Sequence, residues 1–274
     1  MKKIKFLLSG LFLATLSFGQ TPYDQWVQRS FSALEADSVE QAEIYLQSAL
    51  RLEPANPQNF MLLTNLGTIQ RQLGKYEDAL LAYSSALMIV PKSIPLLNSR
   101  AALYSELEQW EKAEEDYTTI LYLKEDHEDA LYRRGFIRFE KGDTLGARTD
   151  FERLIKENKT SAKGRLGIAA LLKSSGDYVM AADMYGQVIK ANPKQADLYL
   201  KRAEVYYLDG KLSKGISDIN RSIELRSEDP LAYVVRARLR FAQYDKVSAR
   251  KDFIKAKELG FKDPMIEEWI RKCK

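Results

Sequence analysis

The chain has 274 residues, of which 45% are hydrophobic and 29% are charged, with only 14 glycines and 8 prolines. This composition excludes a disordered chain and predicts a folded, helical protein. The formal net charge of +4 comes from 42 basic and 38 acidic residues, and the single cysteine, Cys273, excludes an intramolecular disulfide.

The first predicted element is a secretory signal peptide over residues 1–19. Three lysines among the first five residues precede an uncharged, mostly apolar run at 6–18, and small residues follow at 17 and 19. The run is too short to span a bilayer as a helix, so cleavage between Gly19 and Gln20 is favoured over a retained anchor. The mature chain would then carry 39 basic and 38 acidic residues, a net charge of +1. We therefore expect an exported protein, periplasmic or secreted, with no transmembrane anchor and no broad basic field for nucleic acid.

A divergent helix pair is predicted over residues 20–56, where Ser38 and Gln41 are placed to form a capping box. A 34-residue repeat then runs over residues 60–263 without insertion or deletion. Its six copies start at Phe60, Ile94, Glu128, Ala162, Ala196 and Pro230.

Columns of the repeat predict two packed helices in each copy. Two columns hold only glycine and alanine: Gly67, Ala101, Gly135, Ala169, Ala203 and Ala237, then Ala79, Ala113, Ala147, Ala181, Gly215 and Ala249. Another column is mostly aromatic: Tyr83, Tyr117, Phe151, Tyr185, Ile219 and Phe253. Small residues let two helices approach closely, and large residues fill the groove beside them. Turns between the paired helices are marked by Gly74, Gly142, Gly176 and Gly210.

The C-terminal segment, residues 264–274, predicts a capping helix. Ile266, Trp269 and Ile270 share one helical face, which suits packing over the apolar edge of the last copy. Cys273 is interpreted as a harmless tail thiol, with a disulfide-linked dimer as the alternative.

These columns resemble the tetratricopeptide repeat (TPR), a 34-residue helix–turn–helix unit. The resemblance implies an all-α fold, an α-solenoid in which the hairpins stack as a right-handed superhelix. It also implies that the first helices line a concave face for an extended peptide or a partner helix. The carboxylate clamp of chaperone-binding members is not matched, because the equivalent places carry Thr64, Thr68, Asn98, Ala102, Tyr132 and Phe136.

The candidate partner groove takes one or more residues from each of five first helices. Its predicted members are Asn65, Asn98, Tyr132, Arg133, Phe136, Phe139, Lys201, Tyr207, Arg238 and Phe241. The aromatic stripe Tyr132/Phe136/Phe139 is either an exposed anchor or ordinary packing between helices. Its basic members are either carboxylate contacts or solvated surface.

Two further columns predict ion pairs between the helices of one copy. Arginine at the seventh place and aspartate at the twenty-third occur together in four copies, and both places turn apolar in the other two. An arginine that bound a ligand would need no aspartate to accompany it, so a structural role is favoured. The predicted pairs are Arg100–Asp116, Arg134–Asp150, Arg202–Asp218 and Arg236–Asp252.

Motifs for catalysis, such as HExxH, GxSxG or a P-loop, are missing from the sequence. The single histidine, His127, falls in a predicted loop, and metal sites usually need more than one nitrogen or sulfur ligand. We therefore expect no enzymatic activity, no cofactor and no metal. The predicted function is a protein-binding adaptor or scaffold of the cell envelope, with a protein or peptide as partner and no nucleic acid. The alternative is a structural subunit of an envelope assembly or homo-oligomer, with catalysis a distant third; the oligomeric state is left open.

Overall fold

The structure is a computed structural model that describes residues 21–273. The predicted signal peptide and its cleavage point therefore lie outside the described residues. Within this range the chain forms fifteen α-helices and no strand, and none of these helices combines the length and apolar character needed to cross a bilayer. The chain divides into two compact units between Ile137 and Arg138, inside α7.

Within each unit, successive helices pack on one another and are joined by short connections. In the first unit they are α1 (Pro22–Glu35), α2 (Val39–Leu52), α3 (Asn59–Gln72), α4 (Tyr76–Ile89), α5 (Ile94–Glu106), α6 (Trp110–Leu123) and α7 (Glu128–Glu140), which crosses the division. In the second unit they are α8 (Thr144–Glu157), α9 (Ala162–Ser174), α10 (Tyr178–Ala191), α11 (Ala196–Leu208), α12 (Leu212–Leu225), α13 (Pro230–Ala242), α14 (Lys246–Glu258) and α15 (Ile266–Lys272). The first helices α3 to α13 begin within one residue of the 34-residue frame.

The two columns of small residues meet where the helices of a hairpin cross. A Cβ placed on Gly67 would lie 3.1 Å from the carbonyl oxygen of Ala79, and one on Gly215 would lie 3.4 Å from that of Ala203. The backbones therefore approach closely at this point, and a larger residue would push the helices apart. The aromatic column is fully buried beside the crossing, with Tyr83, Tyr117, Phe151 and Phe253 among the largest enclosed side chains.

The turn inside each hairpin uses a left-handed residue. The predicted turn glycines Gly74, Gly142, Gly176 and Gly210 all have positive φ. The equivalent residues in the other two copies are Glu108 (φ 55°) and Tyr244 (φ 64°). For a residue with a side chain, this left-handed conformation costs about 1–2 kcal/mol. Geometry of the turn is therefore conserved along the repeat even where glycine is missing.

The divergent first pair, α1 and α2, joins the repeat through a buried polar contact. Tyr23 donates a hydrogen bond to Asn59 Oδ1 at 3.0 Å, and Asn59 Nδ2 donates to the carbonyl oxygen of Glu53 at 2.6 Å. Burial raises the pKa of the Tyr23 phenol to about 12. The predicted capping box fails here, because the side chain of Ser38 makes no capping hydrogen bond.

The C-terminal helix α15 packs against the last hairpin. Ile266, Trp269 and Ile270 contact a cluster that contains Phe253, whose ring stacks on Trp269 with 5.7 Å between centroids. Cys273 is 4% exposed and belongs to the same cluster, so the thiol is enclosed by the packing of α15. Burial raises the pKa of this thiol.

Candidate functional site

The structure brings together three of the four predicted ion pairs. Arg100 donates to Asp116 from Nε at 2.9 Å and from Nη2 at 2.7 Å. The same two-bond arrangement joins Arg202 to Asp218 and Arg236 to Asp252. The hydrogen bonds that Arg100 donates to Asp116 raise the pKa of this arginine, and planar two-bond contacts of this kind are the strong form of a charged pair. These aspartates are buried and the arginines are partly covered, so the pairs hold the hairpins together and are not open to a ligand.

The fourth predicted pair, Arg134 with Asp150, joins residues of the two separate units and stays a prediction. Within the second unit, Asp150 accepts a hydrogen bond from Arg138 Nη1 at 3.0 Å. Arg240 contacts Asp252 in the same way at 2.7 Å, so this aspartate receives two arginines.

Two of the three paired arginines also reach the helix that precedes them. Arg100 Nη1 donates to Ser84 Oγ at 3.0 Å, and Arg236 Nη1 donates to Asn220 Oδ1 at 3.1 Å. Arg134 makes the equivalent bond to Thr118 at 3.2 Å. One guanidinium therefore ties its own hairpin to the previous one, which adds a nearest-neighbour interaction to the stacking.

The predicted groove residues of the first unit differ in exposure. Asn65 is completely buried, so its assignment to a partner groove is wrong. The reason is that α3 buries eight of its residues between its neighbours, whereas α5 buries four. Asn98 is half-buried, and its buried Oδ1 has no hydrogen-bond partner among the described residues. An ion pair between Arg71 and Glu106 links the C-terminal ends of α3 and α5.

The aromatic stripe on α7 is half-buried along its length. The rings of Tyr132 and Phe136 pack edge to face, with 4.9 Å between their centroids. Phe139 is half-buried as well, beyond the division between the units, and Arg133 is exposed. The rings of Tyr132 and Phe136 thus pack on one another and keep only part of their surface for a partner.

The second unit holds a cavity of about 280 Å³ among three successive first helices, α9, α11 and α13. We call it the Arg238 cavity; it is lined by Lys173, Glu204, Tyr207, Leu208, Val235 and Arg238. Two of these residues, Tyr207 and Arg238, are predicted groove members. Lys173 and Glu204 occupy the repeat places of Tyr207 and Arg238 one copy earlier, so the same columns point to them. Leu208 and Val235 lie at other places of the repeat and were missed.

Charge in the Arg238 cavity is unevenly paired. Lys173 Nζ donates to Glu204 Oε2 at 3.0 Å, so the carboxylate of Glu204 is already paired with a lysine of α9, the preceding first helix. Arg238 is exposed. The other predicted members of this unit lie apart from the cavity lining: Lys201 is exposed, and Phe241 packs edge to face on Trp269 at 5.5 Å.

His127 serves as a helix cap in the structure. Its Nδ1 accepts a hydrogen bond from the backbone N–H of Ala130 at 3.2 Å, at the start of α7. Across residues 21–273, no group of three or more His, Cys, Asp or Glu side chains is placed to hold a metal ion.

Comparison with known proteins agrees with the repeat geometry. Models of the tetratricopeptide repeat family match residues 32–94, 129–161 and 166–230, more than half of the chain. The chain belongs to the tetratricopeptide repeat family. The predicted all-α, α-solenoid fold class is thereby confirmed.

Known proteins are similar to this TPR protein to different extents. A crystal structure of a tetratricopeptide repeat protein from Parabacteroides merdae is 37% identical, with a TM-score of 0.78 and coverage of 92% of this chain and 98% of that one. The C-terminal part of a TPR repeat-containing protein from Cytophaga hutchinsonii superposes with a TM-score of 0.62 at 16% identity, covering 89% of this chain and 98% of that one. Human DnaJ homolog subfamily C member 3 is 25% identical in an alignment 175 residues long, which covers 58% of this chain and 35% of that protein. The match therefore spans about a third of that relative's length.

Proposed function

We propose that this TPR protein is a non-catalytic adaptor or scaffold that binds a protein partner through its first helices. The TPR fold commonly mediates protein–protein interactions, and its first helices offer side chains for that purpose. The observation that carries the proposal is the Arg238 cavity, where three successive first helices expose charged and apolar groups together. Such a mixture of an apolar floor and a few polar groups is typical of recognition sites.

We further propose that the protein acts in the cell envelope, in the periplasm of a bacterium with two membranes. The layout of residues 1–19 supports export. Mass spectrometry of the protein recovered from an envelope fraction tests this directly. We expect a chain that begins at Gln20, whereas a mature chain that still begins at Met1 would contradict cleavage of a signal peptide.

The adaptor role is tested by affinity capture from envelope extracts with matched variants. The groove variant is Tyr207→Ala/Arg238→Ala, and the control is Tyr76→Ala/Arg250→Ala, which removes an exposed tyrosine and an exposed arginine from second helices. We expect wild type and control to retain the same partner and the groove variant to lose it. Binding is then measured with the purified partner by calorimetry. Equal affinity for all three proteins would refute recognition through this face.

The alternative is a structural subunit of an assembly, and one observation favours it. Second helices of the first unit expose several large apolar side chains: Ile44, Leu52, Leu81, Met88 and Tyr122. Leu81 and Met88 are two helical turns apart on α4, and Met88 and Tyr122 occupy the same place of successive copies. Exposed apolar residues that recur in this way are suited to a permanent interface.

This alternative predicts that the protein associates through its second helices. Sedimentation velocity of wild type and of Met88→Ser/Tyr122→Ser distinguishes the two roles. A wild-type oligomer that the double variant dissociates would favour the assembly role. A wild-type monomer at every concentration would exclude the homo-oligomer.

A further inference from the structure

Arg238 is the one charge on the wall of its cavity that the protein leaves unsatisfied. Three charged groups line the cavity: Lys173, Glu204 and Arg238. The lysine and the glutamate neutralise each other at 3.0 Å. Arg238 forms neither a hydrogen bond nor an ion pair within the part of the chain that the structure describes, and it is exposed to solvent. A guanidinium in this position attracts a carboxylate, which it can hold through two parallel hydrogen bonds.

An apolar floor lies directly beside this guanidinium. Val235, one helical turn before Arg238 on α13, is 5% exposed, and Leu208 and Tyr207 of α11 form the adjoining wall. The volume of about 280 Å³ corresponds to roughly nine water molecules, enough for one leucine, methionine or phenylalanine side chain. The site therefore offers one apolar subsite and one carboxylate subsite.

We propose that the Arg238 cavity binds an extended peptide segment in which an apolar residue and an acidic residue are separated by one position. This inference rests on the proposed adaptor function and specifies its ligand. In an extended chain, residues i and i+2 point to the same side and lie about 6.6 Å apart. Residues i and i+3 of a helix have their Cβ atoms about 5–6 Å apart, so Val235 and Arg238 present their subsites at a matching separation.

The acidic group belongs to a side chain inside the segment and not to a chain terminus. The cavity is formed around α11, the middle one of the three first helices that line it. An extended segment that enters it has the surface of α9 on one side and that of α13 on the other, so the chain continues in both directions. A basic residue in the peptide is disfavoured, because the carboxylate of Glu204 already forms an ion pair with Lys173.

Two libraries of random nine-residue peptides test the proposal with the purified chain. In the first library the peptides are fused to the display scaffold through their C-terminal ends, so that every carboxylate is a side chain. In the second library the C-terminal ends are free. We expect the first library to yield peptides with an aspartate or glutamate two positions from a leucine, methionine or phenylalanine.

A charge reversal then identifies the contact. For a selected peptide, Arg238→Glu should weaken binding at least roughly tenfold, the scale of one charged hydrogen bond, and lysine in place of the peptide's acidic residue should restore it. The control Arg250→Glu makes the same change of charge on the exposed surface of α14 and should stay within about twofold of wild type. Circular dichroism of both variants verifies that the helices are retained.

The outcomes separate this inference from the function on which it rests. Selection of peptides without the acidic–apolar spacing, or binding that Arg238→Glu leaves unchanged, would overturn the inference while the adaptor role stands. Selection from the free-ended library alone would show that a terminal carboxylate is the ligand and would also overturn it. If neither library yields a peptide, the protein does not recognise peptides through this face, and both the inference and the peptide-binding form of the adaptor role are refuted.

Discussion

Replacing one partner of the Arg100–Asp116 pair should cost far more than replacing both. In Arg100→Ile, the carboxylate of Asp116 stays at a site where the residue is 4% exposed, and it loses two charged hydrogen bonds of 2.9 and 2.7 Å. Breaking a buried pair in this way costs about 3–5 kcal/mol. Since the side chain of Arg100 is 22% exposed and water can enter its place, we expect a cost just below this range, about 2–3 kcal/mol.

The double variant Arg100→Ile/Asp116→Met should recover most of this loss. It reproduces the apolar pair that the chain itself uses at Ile168 and Met184, the equivalent places of the copy that starts at Ala162. Exchanging a buried ion pair for apolar residues of similar volume is often neutral, so we expect a stability within about 1 kcal/mol of wild type. The resulting coupling energy between the two sites is about 2 kcal/mol.

Urea unfolding at low salt, followed by circular dichroism, measures the four proteins of this cycle. Repeat arrays unfold in parts, so hydrogen exchange of the amide groups in α5 and α6 locates the change. As a control, Arg148→Leu breaks an exposed pair with Glu152 and should cost less than about 0.5 kcal/mol. If the two single variants lose stability and their losses add in the double variant, the unpaired carboxylate of Asp116 is not the reason why Arg100→Ile destabilises, and the reasoning is refuted.

Four further predictions concern the packing of single residues. Gly167→Ala should destabilise by about 2–3 kcal/mol in thermal melts, because its Cβ would lie 2.3 Å from the enclosed ring of Phe151; an unchanged melting temperature would contradict this packing. Tyr244→Gly should stabilise by about 0.5–1 kcal/mol, since relief of left-handed strain exceeds the added backbone entropy, and a loss of stability would contradict the strain. The thiol of Cys273 should react with a thiol reagent only when urea opens α15, and rapid reaction in the native protein would show that it is not enclosed. The pKa of Tyr23 is raised from 10.0 to about 12, so the folded state holds the phenol proton up to a higher pH than the unfolded chain does. The free energy of unfolding should therefore fall as pH rises from about 10 to 12. Tyr23→Phe should flatten that decline, and an equal decline in both proteins would exclude this phenol as its source.

The architecture was predictable because the repeat makes the same contact many times. A single glycine such as Gly67 says little, but six small residues at one place can only serve a close approach of helices. The pairing of Arg100 with Asp116 was predictable for the same reason, since both residues change together from copy to copy.

Contacts that occur in only one or two copies could not be predicted in this way, because they leave no pattern across the copies. The pair of Lys173 and Glu204 joins different places of two successive copies, so no column displays it. Arg138 and Arg240 stand at the eleventh place of their copies, one helical turn after the arginine at the seventh place. In the other two copies with an arginine–aspartate pair, the eleventh place holds Tyr104 and Tyr206. This column, which holds only arginine or tyrosine beside the paired arginine, could have pointed to the second contact with aspartate.

The repeat pattern also did not predict how deeply individual side chains are buried. The exposure of Asn65 depends on how many neighbours enclose α3, and a repeat pattern carries no information on that. Cys273, in contrast, continues the spacing of Ile266, Trp269 and Ile270, so its burial could have been inferred from helical periodicity.

The packing of α15 restricts how this array can lengthen in evolution. The surface of the last hairpin that would receive another hairpin is already occupied by Ile266 and Trp269. A duplicated copy appended behind α14 would have to displace them and leave their apolar side chains in water. Gene duplication therefore has an easier route between existing copies, where the 34-residue period lets a new hairpin enter without disturbing either flank.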